Sequence, residues 1–149
     1  MRLVVIDLIP ALLSWEGRDR FQEPVVAPEA ATTLGELFVR YRLAGVVDAA
    51  AEITGSELRD HLVRDDLAEF FDMVGTTAEF GPSVSPRVVR RLVRVLGSPD
   101  QRTLVVTGRR SLVDQFTRSR IPVVFSTMAE FHAVPDAVDA WLGGGRINP

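Results

Sequence analysis

Residues 3–7, Leu3-Val4-Val5-Ile6-Asp7, decide the fold. Four consecutive aliphatic residues, three of them β-branched, show no alternation of polar and apolar positions. Such a run predicts a strand buried on both faces, the mark of a parallel sheet. It stops at a carboxylate, so Asp7 is expected at the strand's C-terminal end.

Four further runs of the same kind follow: Leu43–Val47, ended by Asp48, then Phe71–Val74, Thr103–Val106 and Ile121–Phe125. Helical patterns separate them. Pro28 to Arg42 carries Leu34, Leu37, Phe38 and Tyr41 on one side. Thr54 and Glu57 form a capping box for a helix reaching about Arg64. Ser85-Pro86 opens a helix to Leu96, with Gly97 as its stop. Ser111 with Asp114 resembles another capping box. Thr127–Glu130 opens a short helix, and Pro135 opens the last, through Leu142. Residues 14–28 are polar, with Trp15 and Phe21 in a loop or small flap. Strands and helices alternate throughout, which predicts an α/β, doubly wound parallel sheet with helices on both faces. Ligands of such folds sit at the C-terminal strand ends. The candidate site is therefore Asp7, Asp48 and the loop Thr107-Gly108-Arg109-Arg110-Ser111.

The 149 residues argue for one domain, 46% hydrophobic and 25% charged. There is no cysteine, which excludes disulfides and thiolate chemistry. All 17 basic residues are arginine, so Schiff-base lysines and lysine-dependent phosphate loops are excluded. The longest uncharged run, Ile121–Ala129, is far too short to span a membrane, and no secretory signal is visible. The expected compartment is the cytoplasm.

The net charge of −3 conceals a strong segregation. Residues 1–82 carry 7 arginines against 15 acids, whereas residues 83–120 carry 9 arginines against 2 acids. Within that basic band Arg87, Arg90, Arg91 and Arg94 recur at helical spacing, opposite an apolar face of Val88, Val89, Leu92, Val93 and Leu96. The stripe is either a solvated helix face or a surface for an acidic partner. It lacks interleaved aromatics, which argues against nucleic acid. Asp7 suits a nucleophile or metal ligand, or a turn cap. Asp48 suits a turn. The amides and guanidiniums of residues 107–111 form a possible anion loop or a plain connection.

Together these stretches resemble the haloacid dehalogenase-like (HAD-like) hydrolases. VVIDLIPALL (4–13) resembles the first motif of that family, LAEFFDMVGTTAEFG (67–81) its FD-x-V segment, PRVVRRLVRVLG (86–97) its P…LG helix, and TLVVTGRRSLVDQFTRSRIPVV (103–124) its fourth motif. The resemblance covers roughly residues 3–142. It implies Asp7 on the central strand, strand order 3-2-1-4-5, and Asp7 in the nucleophile's position. The family's acid/base falls on Ile9, its second-motif Ser/Thr on Asp48, its phosphate-clamping lysine on Ser83, and the two aspartates of its fourth motif on Arg109 and Asp114. Asp7 and Asp114 therefore stand as remnants, though Asp114 is better read as an acid in the first turn of its helix. Ile9 cannot protonate a leaving group, a role typically worth about 10²–10⁴-fold. Arg109 sets a cation where the family keeps a metal-binding carboxylate. The stretch between Asp7 and Asp48 is too short for an inserted cap domain.

The expectation is a degenerate, capless member, a pseudoenzyme without metal or cofactor, acting on a protein partner or on a second copy of itself. The alternative is a low-activity hydrolase of the phosphatase type with Asp7 as nucleophile, and only that alternative requires Mg²⁺. A carboxylate-rich nuclease lacks its further acids here, and a phosphoacceptor receiver lacks its acidic pair and lysine.

Overall fold

A computed structural model describes residues 2–16, 22–78, 80–97 and 103–143. Seven strands are present among them: β1 (Arg2–Asp7), β2 (Leu13–Ser14), β3 (Val25–Val26), β4 (Tyr41–Val47), β5 (Met73–Thr76), β6 (Thr103–Thr107) and β7 (Val123–Phe125). The helices are α1 (Leu8–Ala11), α2 (Ala30–Phe38), α3 (Gly55–Arg64), α4 (Pro86–Val95), α5 (Arg110–Arg118) and α6 (Val134–Val138).

Five strands form one parallel sheet in the order β5-β4-β1-β6-β7. Counting only the five strands expected from the sequence, this is the order 3-2-1-4-5. The aliphatic run Leu3–Ile6 is fully buried because both faces of β1 are covered. Val4 and Ile6 join a cluster with Leu34, Leu37, Leu58 and Phe131. Leu3 and Val5 point the other way, to Val89, Leu92, Leu112 and Phe116. Thus α2, α3 and α6 form one layer, and α4 and α5 the other.

Local signals set several helix ends. The Thr54 hydroxyl accepts from the Glu57 N–H at 3.0 Å, and the Ser85 hydroxyl from the Val88 N–H at 3.3 Å. Gly97 takes a left-handed φ of +73°, as a helix-ending glycine does.

Several boundaries differ from expectation. The helix expected over 28–42 ends at Phe38, and Tyr41 and Arg42 belong to β4. Pairing of Tyr41 with Arg2 at the start of β1 overrides the helical pattern there. The expected strand 71–74 is shifted to Met73–Thr76, because β4 accepts it in the register Ala44 to Met73. The loop 14–28 contains an antiparallel ribbon, Leu13–Ser14 against Val25–Val26. Trp15 packs there edge-on against His61, at 5.2 Å between ring centroids. Phe21 lies outside the described residues. Finally, Ser111 does not cap α5. The helix starts at Arg110, two residues before the start that a Ser111 cap implies, with Arg109 as N-cap and no side-chain cap bond. Among the described residues no helix is long and apolar enough to cross a membrane.

Candidate functional site

Three neighbouring parallel strands deliver the candidate site. Asp7 ends β1, Asp48 follows β4 on one side, and Thr107 ends β6 on the other. Asp7 is 1% exposed. Two residues after Thr107 the side chain of Arg109 turns back over the strand ends. Its Nε donates to Asp7 Oδ2 at 2.9 Å and its Nη2 to Asp7 Oδ1 at 3.0 Å. The same guanidinium reaches Asp48, Nη1 to Oδ2 at 2.6 Å and Nη2 to Oδ1 at 3.1 Å. One arginine thus bridges two carboxyl groups.

Thr107 and Val84 complete the network. The Thr107 hydroxyl donates to Asp7 Oδ2 at 2.8 Å and accepts from the Arg109 N–H at 3.1 Å. That second bond satisfies an N–H at the start of α5 that a side-chain cap would otherwise take. Asp48 Oδ1 also accepts the Val84 N–H at 2.6 Å. The buried Thr77 hydroxyl accepts the Ala49 N–H at 3.0 Å, tying the end of β5 to the turn after Asp48.

Burial raises the Asp7 pKa above the ordinary carboxylate range, and the Arg109 hydrogen bonds and charge oppose that shift without cancelling it. Burial also pulls the Arg109 pKa down, but hydrogen bonds to Asp48 and Asp7 outweigh it and hold the guanidinium above its usual range. Arg109 stays charged throughout. Both Asp7 oxygens already accept donors. Oδ2 accepts two of them and Oδ1 one, and a carboxylate held by a cation is a weaker nucleophile than a free one.

The remaining sequence candidates scatter. Gly108 sits in a tight place: a Cβ there would lie 3.0 Å from Pro10 Cγ and 3.0 Å from the Ser126 carbonyl oxygen. Arg110 does not share an anion loop with Arg109. Its guanidinium stacks 4.2 Å from the centroid of the Phe125 ring. Ser111 is an exposed residue of α5. Asp114 is exposed too, and lines a surface hollow with Thr117 and Arg118 rather than the Asp7 network. Arg87, Arg90, Arg91 and Arg94 are all exposed on α4, and Arg90 Nη2 donates to the Ser119 carbonyl at 3.1 Å. Among the described residues no group of three or more histidines or acids could hold a metal ion. The sequence missed the direct pairing of Arg109 with Asp7 and Asp48. Its signal was present: carboxylates ending two adjacent strands, and an arginine two residues beyond the end of a third.

No family model matches the sequence, and no curated protein is significantly similar to it. Solved structures are similar in fold. An uncharacterized protein from Listeria monocytogenes serotype 4b superposes with a TM-score of 0.71 at 12% identity, covering 97% of this chain and 99% of that one. A HAD-superfamily hydrolase, subfamily IA, variant 1, from Geobacter sulfurreducens gives 0.67 at 11% identity, covering 92% and 99%. A haloacid dehalogenase-like family hydrolase from Streptococcus pneumoniae gives 0.65 at 12% identity, covering 95% and 98%. At these identities the likeness is one of fold.

Proposed function

We propose that this chain, which has the haloacid dehalogenase-like fold, is a pseudoenzyme: a capless cytoplasmic protein, one domain over residues 1–149, that acts by binding another protein or a second copy of itself. The observation that carries the reading is the Arg109 fork on Asp7. The guanidinium pairs with the residue that would attack and donates one hydrogen bond to each of its oxygens. Mg²⁺ does not fit the residues present. Ile9 offers no carboxylate, and the position of the family's metal-binding acid is held by Arg109, whose charge repels a divalent ion. The clustered charges are therefore structural, joining three strand ends.

The alternative, a weak phosphatase-type hydrolase, is supported by one observation, the place of Asp7 at the C-terminal end of the central strand. It requires Arg109 to leave both carboxylates before each turnover. Turnover of phosphate esters, measured with and without Mg²⁺ on the parent and on Asp7→Asn, decides between the two. Equal background rates in both proteins are expected. Hydrolysis that disappears in Asp7→Asn, or submillimolar Mg²⁺ binding by calorimetry that disappears with it, establishes the hydrolase instead.

A further inference from the structure

The two helical layers carry opposite charge. On the α4–α5 layer the four α4 arginines are joined by the exposed Arg118 and Arg120 at the end of α5. Arg90 spans the two helices through its bond to the Ser119 carbonyl, so the basic surface is continuous. Asp114 is the one acid within α4 and α5. Beside Arg91 and Arg94, Val95 is 64% exposed, an apolar point inside a cationic surface.

The opposite layer has the inverse composition where α3 ends. Asp65, Asp66 and Glu69 are exposed there, next to Val63, itself 56% exposed. Phe38, 45% exposed, packs edge-on against Phe70 at the same end. Arg64 is committed to Glu23 at 3.0 Å, which leaves the acids of this corner in excess.

We propose that the α4–α5 face binds the acidic α3-end face of a second copy of this chain, head to tail, with Val95 seated against the exposed Val63 and Phe38. This rests on the reading of the chain as a binding protein and names the partner. A two-fold contact of the basic face with itself would set arginine against arginine. A contact between unlike faces places cation on anion around an apolar centre, the usual composition of a protein interface. Such a contact is heterologous and repeats, so it builds concentration-dependent rings or open chains rather than a two-fold dimer.

Sedimentation equilibrium on the whole chain tests this, at about 0.02 M and about 0.5 M salt, where the screening length falls from roughly 20 Å to roughly 4 Å. The weight-average mass should rise with protein concentration at low salt and return to that of a monomer at high salt. Arg91→Glu/Arg94→Glu and Asp65→Arg/Glu69→Arg should each abolish the rise, with thermal melts confirming that both fold. Arg90 is spared because it holds Ser119. An equimolar mixture of the two charge-reversed chains should associate again, because each reversed face then meets an opposite one. A parent that stays monomeric at low salt, association untouched by either reversal, or a mixture that stays monomeric overturns the contact. A monomeric parent without turnover leaves a binding protein with a different partner. Asp7-dependent turnover instead overturns the pseudoenzyme reading and is scored separately from the mass.

Discussion

Arg109 and Asp7, 102 residues apart in the chain, meet fork to fork at 2.9 and 3.0 Å across the ends of β6 and β1. A planar guanidinium matches the spacing of two carboxylate oxygens, which gives the pair direction as well as attraction. The second carboxylate, on Asp48, fixes the guanidinium from the other side.

Removing that cation leaves Asp7 and Asp48 facing each other, one of them fully buried. Arg109→Ala should therefore cost about 3–5 kcal/mol, the usual penalty for breaking a buried ion pair from one side. Arg109→Lys should recover only part, because an ammonium cannot form two parallel bonds to Asp7 and also reach Asp48. Denaturant midpoints measure both. A midpoint for the alanine variant equal to the parent's would mean that the network contributes nothing to stability.

The pH response of Asp7 has a definite sign. Its pKa is raised in the folded chain, so the folded state holds the Asp7 proton more tightly than the unfolded state does. The stability that Asp7 contributes is complete below the unfolded carboxylate value of about 4 and declines as pH rises through the raised folded value. Asp7→Asn does not titrate. Its stability relative to the parent should therefore improve as pH rises from about 4 into the window above the ordinary aspartate range. Urea unfolding of both chains over that range checks it, and a relative loss with rising pH contradicts the raised value.

Gly108 positions the backbone that carries Arg109. A methyl group there meets the Ser126 carbonyl oxygen and Pro10 at 3.0 Å, and backbone cannot retreat as a flexible side chain can. Gly108→Ala should destabilise by about 1–3 kcal/mol, as overpacking does. Thermal unfolding reads the loss. A melting temperature unchanged from the parent's would show that the loop has room to move.

Arg110 offers a contrast with its neighbour. Its contact is with the Phe125 ring, and its side chain is exposed. Arg110→Ala should cost only about 0.5–1 kcal/mol. If it destabilised the chain as much as Arg109→Ala, the division of labour between the two adjacent arginines would be wrong.

The sheet was legible because β1, β6 and residues 43–47 of β4 are apolar runs with no competing period. Asp7 and Asp48 were legible as the ends of such runs for the same reason, whereas Thr107, which ends β6, read as the first residue of the loop. The role of Arg109 was not, since nothing local in Gly108-Arg109-Arg110 distinguishes the guanidinium that turns inward from the one that stacks on Phe125. That choice depends on which strand lies beside β6, a fact of topology rather than of spacing. Tyr41 shows the same limit from another side. It completes an apolar helical face in the sequence, yet strand pairing with Arg2 takes it, and its hydroxyl donates to Asp139 Oδ1 at 2.6 Å.

The central position of β1 has a consequence for how the chain acquires its structure. Leu3–Ile6 pair with residues 42–45 on one edge and 103–106 on the other. The strand is thus translated well before the second of its two neighbours, and its apolar side chains have no complete shelter until β6 has been made. Contacts so distant in sequence slow folding. Once the sheet has closed, the same backbone amides should exchange with solvent only through opening of the whole domain.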